Sequence, residues 1–182
     1  MEIELTPFQG LFVAQRKRFS DNRGYFMELY RESYLKEFLS IPFPQDNLSY
    51  SSFGVLRGLH FQVPPYAQAK LVSVLLGEVL DVVVDLRSNS TTFGKWYSIV
   101  LSEENAKMMY VPVGFAHGFI VRSSTCLFHY KCSSEYAHSA EQGLRWCDPT
   151  LNIDWGIEYP IVSAKDTALP LFDAASFINM FT

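Results

Sequence analysis

The feature that most constrains the fold is a series of short β-type segments in the middle of the chain. Between residues 70 and 132 the sequence contains KLVSVLLG, EVLDVVVDLR, KWYSIVLS, MMYVPVG, HGFIVRS and CLFHYKC, separated by turn-forming stretches such as RSNSTTFG and SEEN. Short β-branched or aromatic runs at regular spacing, without long helices between them, are typical of antiparallel sandwiches and barrels. The sequence therefore predicts an all-β protein.

A jelly-roll barrel or sandwich of the cupin type is the architecture that best fits this series of strands, with a few short helices. The segment RESYLKEFL, residues 31–39, predicts one helix, and a second short helix is expected near the C-terminus. Because no internal repeat or flexible linker divides the 182 residues, we expect residues 1–182 to form a single domain.

The overall charge and the cysteines indicate which binding partners and which cellular compartment suit this protein. A net charge of −4 and a pI of about 5.5 give no basic field for nucleic acid or an anionic membrane, so local cations must hold any anionic ligand. Cys126, Cys132 and Cys147 form no CxxC pair and are expected to be free thiols. With no apolar run long enough to span a bilayer, the sequence predicts a soluble cytoplasmic protein.

The segment GVLRGLHFQVPP, residues 54–65, places an arginine and a histidine in an apolar strand. Arg57 and His60 are three residues apart, so a regular strand would direct their side chains to opposite faces. Either only one of them faces a site, or the strand is irregular at Gly58, where a β-bulge is easily accommodated.

Other predicted strands also carry polar side chains that a dry core would not accept. Asp81 and Asp85 share a face of one apolar strand, and His129 and Lys131 share a face of another, opposite Tyr130. Charged side chains are seldom fully buried unless they are paired. Several of these residues therefore predict a wet functional cavity inside the barrel.

Each candidate residue has a structural and a catalytic interpretation. His60 is either a satisfied core histidine or a general base, for which the ordinary imidazole pKa of about 6.5 is well suited. A carboxylate on its other ring nitrogen would fix the tautomer, and Asp81 is expected on the next strand. Tyr130 is either a packing aromatic or a proton donor. Lys70 and Arg57 are either solvated charges or groups that stabilise an enolate or a phosphate oxygen.

The segment PVGFAHG, residues 112–118, matches the second cupin motif, P-x-G-x-x-H. In metal cupins this histidine, here His117, is a ligand together with an H-x-H and a glutamate on an earlier strand. The corresponding segment LHFQ has no second histidine two residues from His60. These two histidines alone make a poor metal site, so we expect none.

Eight segments together resemble one family, the dTDP-4-dehydrorhamnose 3,5-epimerases, which are cupin-fold sugar-nucleotide epimerases. The resemblance runs from about Phe19 to Pro170, in the family's order and spacing. The segments are FSDNRGYFMELY, QDNLSYS, GVLRGLHFQVPPYAQAKLV, GEVLDVVVDLR, STTFGKW, PVGFAHGF, FHYKCSSEY and VSAKDTALP.

The resemblance implies a dTDP-linked 4-keto-6-deoxyhexose as substrate, whose C4 carbonyl acidifies the protons at C3 and C5. It implies His60 as the base, Asp166 as the carboxylate that orients it, Tyr130 as the acid and Lys70 as the group that stabilises the enolate. Asp81 and His117 match supporting pocket residues, and Arg57 matches a phosphate contact. No metal or redox cofactor is implied, because deprotonation next to a ketone needs none.

The resemblance also implies the remaining nucleotide contacts and a homodimer. In the family, part of the nucleotide site comes from the neighbouring subunit. This chain has Leu48 where the family often has histidine after QDN, from which we expect a change at the edge of the site. The matched substrate-binding positions are Arg23, Glu28, Gln45, Asn47, Tyr136, Glu141 and Lys165.

Three alternatives to a double epimerase are compatible with parts of this pattern. A relative that inverts only C3 or only C5 would keep His60, Asp166 and Tyr130. A sugar-nucleotide-binding cupin without catalysis would tolerate loss of the histidine–aspartate pair, and a metal-dependent cupin oxygenase would need the missing H-x-H. The sequence therefore predicts a 3,5-epimerase, with a single-centre epimerase as the nearest alternative.

Overall fold

The computed structural model describes residues 2–36, 38, 39 and 41–181 and consists mainly of β-strands. Within these residues the strands are β1 Glu2–Leu5, β2 Phe12–Gln15, β3 Arg18–Asp21, β4 Gly24–Met27, β5 Gln45–Ser52, β6 Val55–Gln62, β7 Lys70–Leu76, β8 Glu78–Asp85, β9 Trp96–Ser102, β10 Lys107–Val111, β11 Phe115–Val121, β12 Thr125–Cys132, β13 Glu141–Gly143 and β14 Ile161–Val162. The helices are α1 Glu32–Leu35, α2 Ala164–Thr167 and 3₁₀ turns at His138–Ala140 and Ala174–Phe177.

Two sheets pack face to face, and a separate hairpin is formed by β3 and β4. The first sheet has the order β1-β2-β10-β7-β12-β5, and the second has the order β13-β6-β11-β8-β9, with β14 also paired to β6. Apart from the parallel β14–β6 pair, the neighbouring strands in these two sheets are antiparallel. The predicted all-β cupin-type sandwich with a few short helices is therefore confirmed.

Side chains from both sheets form the central core. Val72 and Met109 of the first sheet and Val83, Phe119 and Val121 of the second belong to one buried cluster. The alternation of side chains along each strand explains how one face of each sheet reaches this core.

The outer faces of both sheets are also covered, which explains why β8 and β11 are apolar on both sides. The C-terminal part of the chain covers the second sheet, with Trp155 and Phe177 packed against Val82 and Ile120. The segment around α1 covers part of the first sheet, where Leu35 packs in a cluster with other apolar side chains. Strands buried on both faces become nearly continuous apolar runs.

The six predicted strand segments correspond to β7 through β12, and the predicted C-terminal helix corresponds to the short α2 and the last 3₁₀ turn. The helix predicted over residues 31–39 is wrong in length, because α1 ends at Leu35. Glu37 of that prediction lies outside the described residues. A helix of four residues has little stability of its own, and the packing of Leu35 on the first sheet holds it in place.

The predicted irregularity at Gly58 is confirmed. His60 pairs with His117 and Arg57 pairs with Phe119, so three steps along β6 match two steps along β11. Such an extra residue is a β-bulge, and it changes the side-chain alternation between Arg57 and His60. Both side chains consequently face the same cavity.

The prediction of a wet cavity is wrong for three of the polar strand residues. Asp85 is fully buried away from the cavity and accepts hydrogen bonds from the side chains of Arg87, Ser90 and Thr92. His129 and Lys131 point to the other face of β12. There both contact the carboxylate of Asp46, at 3.4 and 2.7 Å. Local ion pairs and hydrogen bonds, rather than a ligand cavity, accommodate these charges.

All three cysteines are free, as predicted: Cys126 and Cys132 are buried and Cys147 is exposed. Within residues 2–36, 38, 39 and 41–181, no helix is long and apolar enough to cross a membrane.

Candidate active site

A cavity of about 530 Å³ is lined by residues of β6, β11, β12 and α2, among others. An adjoining cavity of about 260 Å³ shares His60, Lys70 and Tyr130 with it. Together they bring eleven predicted site residues into one region: Gln45, Asn47, Arg57, His60, Lys70, His117, Tyr130, Tyr136, Glu141, Lys165 and Asp166.

His60 and Asp166 form a hydrogen-bonded pair in the wall of the larger cavity. The Nε2 atom of His60 lies 2.7 Å from Oδ1 of Asp166, and the other carboxylate oxygen accepts the backbone N–H of Gly58 at 3.2 Å. Burial raises the pKa of the Asp166 carboxyl, but the hydrogen bonds and charges of His60, Gly58 and Lys165 outweigh it and hold that pKa below its ordinary value. An ionised Asp166 accepts a hydrogen bond from Nε2–H, which leaves Nδ1 as the basic nitrogen of the neutral ring.

Asp81, which the resemblance matches to a supporting pocket residue, forms the second histidine–aspartate pair of the site. Asp81 contacts the other cavity histidine, His117, whose Nε2 atom lies 3.0 Å from both carboxylate oxygens. Asp81 is fully buried, and burial raises the pKa of its carboxyl against the opposing effects of His117 and Lys70. Asp81 therefore supports the cavity wall from behind, through His117.

Lys70 and Tyr130 are two half-buried polar groups that face the cavities. Burial lowers the pKa of the Lys70 ammonium, against the opposing effects of Cys132, Asp81 and Glu141. None of the residues described here hydrogen-bonds to the Lys70 ammonium, so it can bind an anionic oxygen in the cavity. Burial also raises the pKa of the Tyr130 phenol, which keeps this group protonated at neutral pH.

The smaller cavity is edged by a hydrogen-bonded network of predicted binding residues. One carboxylate oxygen of Glu141 accepts both the Tyr136 hydroxyl and the Lys165 ammonium, each at 2.6 Å. Burial raises the pKa of Glu141, but the hydrogen bonds from Lys165 and Tyr136 outweigh it and lower the pKa overall. On the other side, the Gln45 amide donates to Asn47 at 2.9 Å and accepts the backbone N–H of Tyr136 at 2.7 Å.

The inward face of β5 carries small polar residues that the sequence interpretation missed. Ser51 accepts a hydrogen bond from Arg57 Nε at 3.1 Å and thereby orients this cation. Ser49 lines the larger cavity, and its buried hydroxyl has no hydrogen-bond partner among the described residues. The alternation of Asn47, Ser49 and Ser51 along one strand face is the signal that could have identified them.

Three predicted binding residues line neither cavity in the single chain: Asp81, which lies behind His117, and Arg23 and Glu28, which lie apart from the site. Arg23 lies at the turn of the β3–β4 hairpin and pairs with Asp21 at 2.6 Å, with most of its side chain exposed. Glu28 follows the hairpin and forms an ion pair with Arg31. Neither residue lines the two cavities.

The chemistry of the cavity is that of proton transfer with anion stabilisation. A carboxylate-oriented imidazole can remove a proton, a protonated phenol can return one, and an ammonium can stabilise the anion that forms between these steps. Within residues 2–36, 38, 39 and 41–181, no group of three or more His, Cys, Asp or Glu side chains could hold a metal ion. The fold and the cavity define the class of acid–base isomerases built on a cupin-like sandwich.

Comparisons with known proteins identify the family within this class. The model of the dTDP-4-dehydrorhamnose 3,5-epimerase family matches residues 5–174, and the chain belongs to this family. The dTDP-4-dehydrorhamnose 3,5-epimerase of Pseudomonas aeruginosa is 48% identical over 86% of this chain and 87% of its own length.

Two solved structures of similar fold carry ligands. One is dTDP-6-deoxy-D-glucose-3,5-epimerase from Legionella pneumophila in complex with dTDP-4-keto-L-rhamnose. It has a TM-score of 0.90 and 43% identity, covering 93% of this chain and 92% of that one. The other is ChmJ, a 3′-monoepimerase from Streptomyces bikiniensis in complex with dTDP-quinovose. It has a TM-score of 0.89 and 31% identity, covering 97% of this chain and 90% of that one.

Proposed function

We propose that the chain is a dTDP-4-dehydrorhamnose 3,5-epimerase, which converts dTDP-4-dehydro-6-deoxy-D-glucose to dTDP-4-dehydro-L-rhamnose. The observation that carries this proposal is the His60–Asp166 pair at 2.7 Å, which faces a cavity that also holds a phenol and an ammonium. Inversion next to a ketone needs these functions and no others, because the C4 carbonyl itself acidifies the protons at C3 and C5.

His60 is the base in this proposal, and Asp166 is the group that holds it in the required tautomer. Nδ1 of His60 removes the proton from C3 or C5, and the C–H electron pair moves into an enolate whose oxygen is the former C4 carbonyl oxygen. The resulting imidazolium is stabilised by the carboxylate at 2.7 Å. Lys70 stabilises the enolate oxygen, since its ammonium lines the same cavity.

Tyr130 returns a proton to the opposite face of the sugar, which inverts the carbon centre. After one inversion the histidine holds an additional proton and the tyrosine has lost one. Exchange with solvent restores both groups before the second centre reacts. The reaction therefore carries solvent hydrogen into each inverted carbon, which makes isotope exchange a direct assay of the proposal.

The remaining predicted residues bind the nucleotide in this proposal. Arg57 and Lys165 are cations of the larger cavity that suit the diphosphate, and this explains how a chain of net charge −4 binds an anionic ligand. Gln45 and Asn47 offer amide groups to the base at the smaller cavity, and the exposed ring of Tyr136 can stack on it.

We also propose a homodimer in which Arg23 and Glu28 reach the neighbouring subunit's cavity. The β3–β4 hairpin exposes Phe26 at 66%, and the edge strand β5 exposes Tyr50 at 63%. Both features suit a protein interface better than solvent.

Complementation tests the proposed dimer. Arg23→Ala and His60→Asn variants would each be inactive alone. Co-expression would restore about a quarter of the wild-type activity, because half of the dimers would be mixed and each would hold one intact site. No restoration, or a monomer in analytical ultracentrifugation, would contradict the shared site.

The single-centre alternative is supported by the similarity to the ChmJ 3′-monoepimerase. Incubation of the enzyme with dTDP-4-keto-6-deoxyglucose in heavy water, followed by mass spectrometry and proton NMR, separates the two functions. Deuterium at both C3 and C5 supports the double epimerase. Deuterium at one carbon identifies a single-centre enzyme, and no incorporation contradicts both.

We further infer that residues 1–182 form one domain and act in the cytoplasm. Apolar contacts from the C-terminal Phe177 and Phe181 to the second sheet support the first inference. The three free cysteines support the second, since a reducing compartment preserves free thiols. Limited proteolysis and fractionation of the native cells would test them, respectively.

A further inference from the structure

The bulge in β6 brings the His60–Asp166 pair together with a backbone donor. Gly58 and Leu59 together lie opposite the single residue Gly118 of β11. Leu59 uses its N–H and carbonyl on the other side, where they pair with Leu144 at 3.1 and 2.9 Å. The N–H of Gly58 is thereby directed to the carboxylate of Asp166 instead of to a neighbouring strand.

The Asp166 carboxylate is consequently held at two points that are two residues apart on one strand. Its Oδ2 atom accepts Gly58 N–H at 3.2 Å, while Oδ1 lies 2.7 Å from Nε2 of His60. A third bond, from Asp166 N–H to the hydroxyl of Ser163 at 3.0 Å, fixes the backbone of α2. The orientation of His60 therefore depends on where the bulge places the Gly58 amide.

Glycines on three adjacent strands allow this bulge to fit. A Cβ atom on Gly58 would lie 2.6 Å from Cα of Gly118, and one on Gly118 would lie 2.8 Å from the carbonyl oxygen of Arg57. On the opposite side, a Cβ atom on Gly143 would lie 2.4 Å from the carbonyl oxygen of Leu59. These distances are shorter than those that real Cβ atoms make with other heavy atoms, and in each case the obstructing atom belongs to the backbone.

We propose that Gly118, together with Gly58, is a positioning residue. The close packing of these glycines fixes the position of the bulge and therefore of the Gly58 N–H. This N–H orients Asp166, and Asp166 keeps the proton of His60 on Nε2, so that Nδ1 can act as the base. The assignment of His60 as the base rests on the proposed function. The geometric part, namely that Gly118 determines the tautomer of His60, does not depend on which sugar is bound.

The test is the Gly118→Ala variant. Gly118 does not have a positive φ, whereas Gly58 has a φ of +130°, so alanine at 118 displaces the bulge without adding backbone strain of its own. A displacement of about 1 Å at a reacting group costs about 10²-fold in rate, so we expect kcat to fall about 10²-fold. The Kd for dTDP should rise by less than about tenfold, because the shift reaches only one proposed diphosphate contact, Arg57, whose carbonyl oxygen would lie 2.8 Å from the added Cβ.

Nitrogen-15 NMR of the histidine-labelled protein gives a readout that general destabilisation does not move. The chain has four histidines, and the His60→Asn variant assigns the signal of His60. We expect the proton on Nε2 in the wild type and a mixture of tautomers in Gly118→Ala. The signal of His129, which lies on β12 of the other sheet and contacts Asp46, provides an internal reference.

Gly94→Ala is a control for destabilisation alone, because this glycine has a φ of +71° in a turn outside both cavities. Alanine there is strained in its backbone, while its Cβ would meet only the ring of Phe172 at 3.4 Å. It should lower thermal stability without changing kcat or the tautomer of His60. If Gly118→Ala retains wild-type kcat and tautomer, or loses dTDP binding in proportion to kcat, the proposal is overturned.

Asp166→Glu tests the same geometry without altering the bulge, in case Gly118→Ala does not fold. The longer side chain keeps the charge but cannot hold Gly58 N–H and His60 Nε2 together from the same Cα, so kcat should again fall about 10²-fold. Full activity of Asp166→Glu would refute the two-point arrangement. If the wild type itself shows no isotope exchange, the proposed function fails, while the NMR comparison still tests the positioning.

Discussion

Replacing Asp166 by asparagine changes the tautomer of His60 while leaving the shape of the site almost unaltered. In the asparagine variant, the amide oxygen is needed as the acceptor for the Gly58 N–H, which now donates to Asp166 at 3.2 Å. The amide NH₂ group then faces Nε2 of His60, where the carboxylate oxygen now lies at 2.7 Å. Because NH₂ can only donate, Nε2 must become the acceptor, and the proton moves to Nδ1. The lone pair that would remove the substrate proton is lost.

The size of the effect follows from the two interactions that the amide disrupts. Turning the amide around restores the useful tautomer but leaves the buried Gly58 N–H without an acceptor, at a cost of about 1–3 kcal/mol. Loss of the carboxylate also removes a charged hydrogen bond to the imidazolium that forms during proton abstraction, worth about 1.5–3 kcal/mol. The sum of about 2.5–6 kcal/mol corresponds to a loss of about 10²- to 10⁴-fold in kcat.

The assay measures deuterium incorporation from heavy water at C3 and C5 alongside calorimetric binding of dTDP. We expect the exchange rate of Asp166→Asn to fall within that range while the Kd for dTDP stays within about twofold. Asp81→Asn is the matched control, since it makes the same chemical change beside the other cavity histidine, His117, at 3.0 Å. It should reduce exchange by less than about tenfold, because Asp81 contacts His117, which takes no part in proton transfer in the proposed reaction. An Asp166→Asn enzyme with more than a tenth of wild-type exchange would refute the tautomer argument.

Three further predictions concern the phenol, the unpartnered serine and the buried carboxylate. Tyr130→Phe removes only the proposed proton donor, so isotope exchange at C3 or C5 should persist while net inversion, followed by NMR of the product sugar, falls at least about tenfold. If net inversion is unchanged, Tyr130 is a packing residue and not the proton donor. Ser49→Ala removes a buried hydroxyl that has no partner in the part of the chain that the structure describes, so the melting temperature should rise by about 2–4 °C while KM increases several-fold. A lower melting temperature with unchanged KM would show that the hydroxyl is structural. For Asp85, burial raises the pKa, but the hydrogen bonds from Arg87, Ser90 and Thr92 outweigh it and lower the pKa overall. The stabilisation from Asp85 is therefore complete above its unfolded pKa of about 3.9 and is lost as the pH falls further. Asp85→Asn should reduce the free energy of unfolding in urea most at pH 7, with a difference from wild type that shrinks below about pH 4.

The strands were predictable because their signal is local. β7 through β12 are apolar or β-branched runs between recognisable turns, and this information is contained within each segment. The helix at residues 31–39 was overestimated for a different reason. Its apolar residues follow a helical spacing, but Leu35, Leu39 and Ile41 all pack over the first sheet, and this tertiary contact determines the path of the chain after α1.

The position of the bulge could be predicted from the sequence, but its effect on the contacts of Asp166 could not. The parity of Arg57 and His60 required an irregular strand, and a glycine between them marked its place. The sequence contained no sign that the Gly58 amide would bind Asp166, which lies 108 positions later in the chain. Nor could it show that Gly118 and Gly143 would flank the bulge, since strand neighbours are determined by the order of strands in the sheet.

Which histidine is the base also could not be decided from residue types, because the cavity contains two histidine–aspartate pairs. Their carboxylates differ in hydrogen bonding and burial. Asp166 accepts a backbone N–H in addition to His60, and its pKa is lowered despite burial. Asp81 is fully buried behind His117, and its pKa is raised. The carboxyl with the lowered pKa is the better hydrogen-bond acceptor for its histidine and the better stabiliser of an imidazolium. The extra hydrogen bond from the Gly58 bulge thus gives a physical reason to assign the base to His60 and the supporting role to His117.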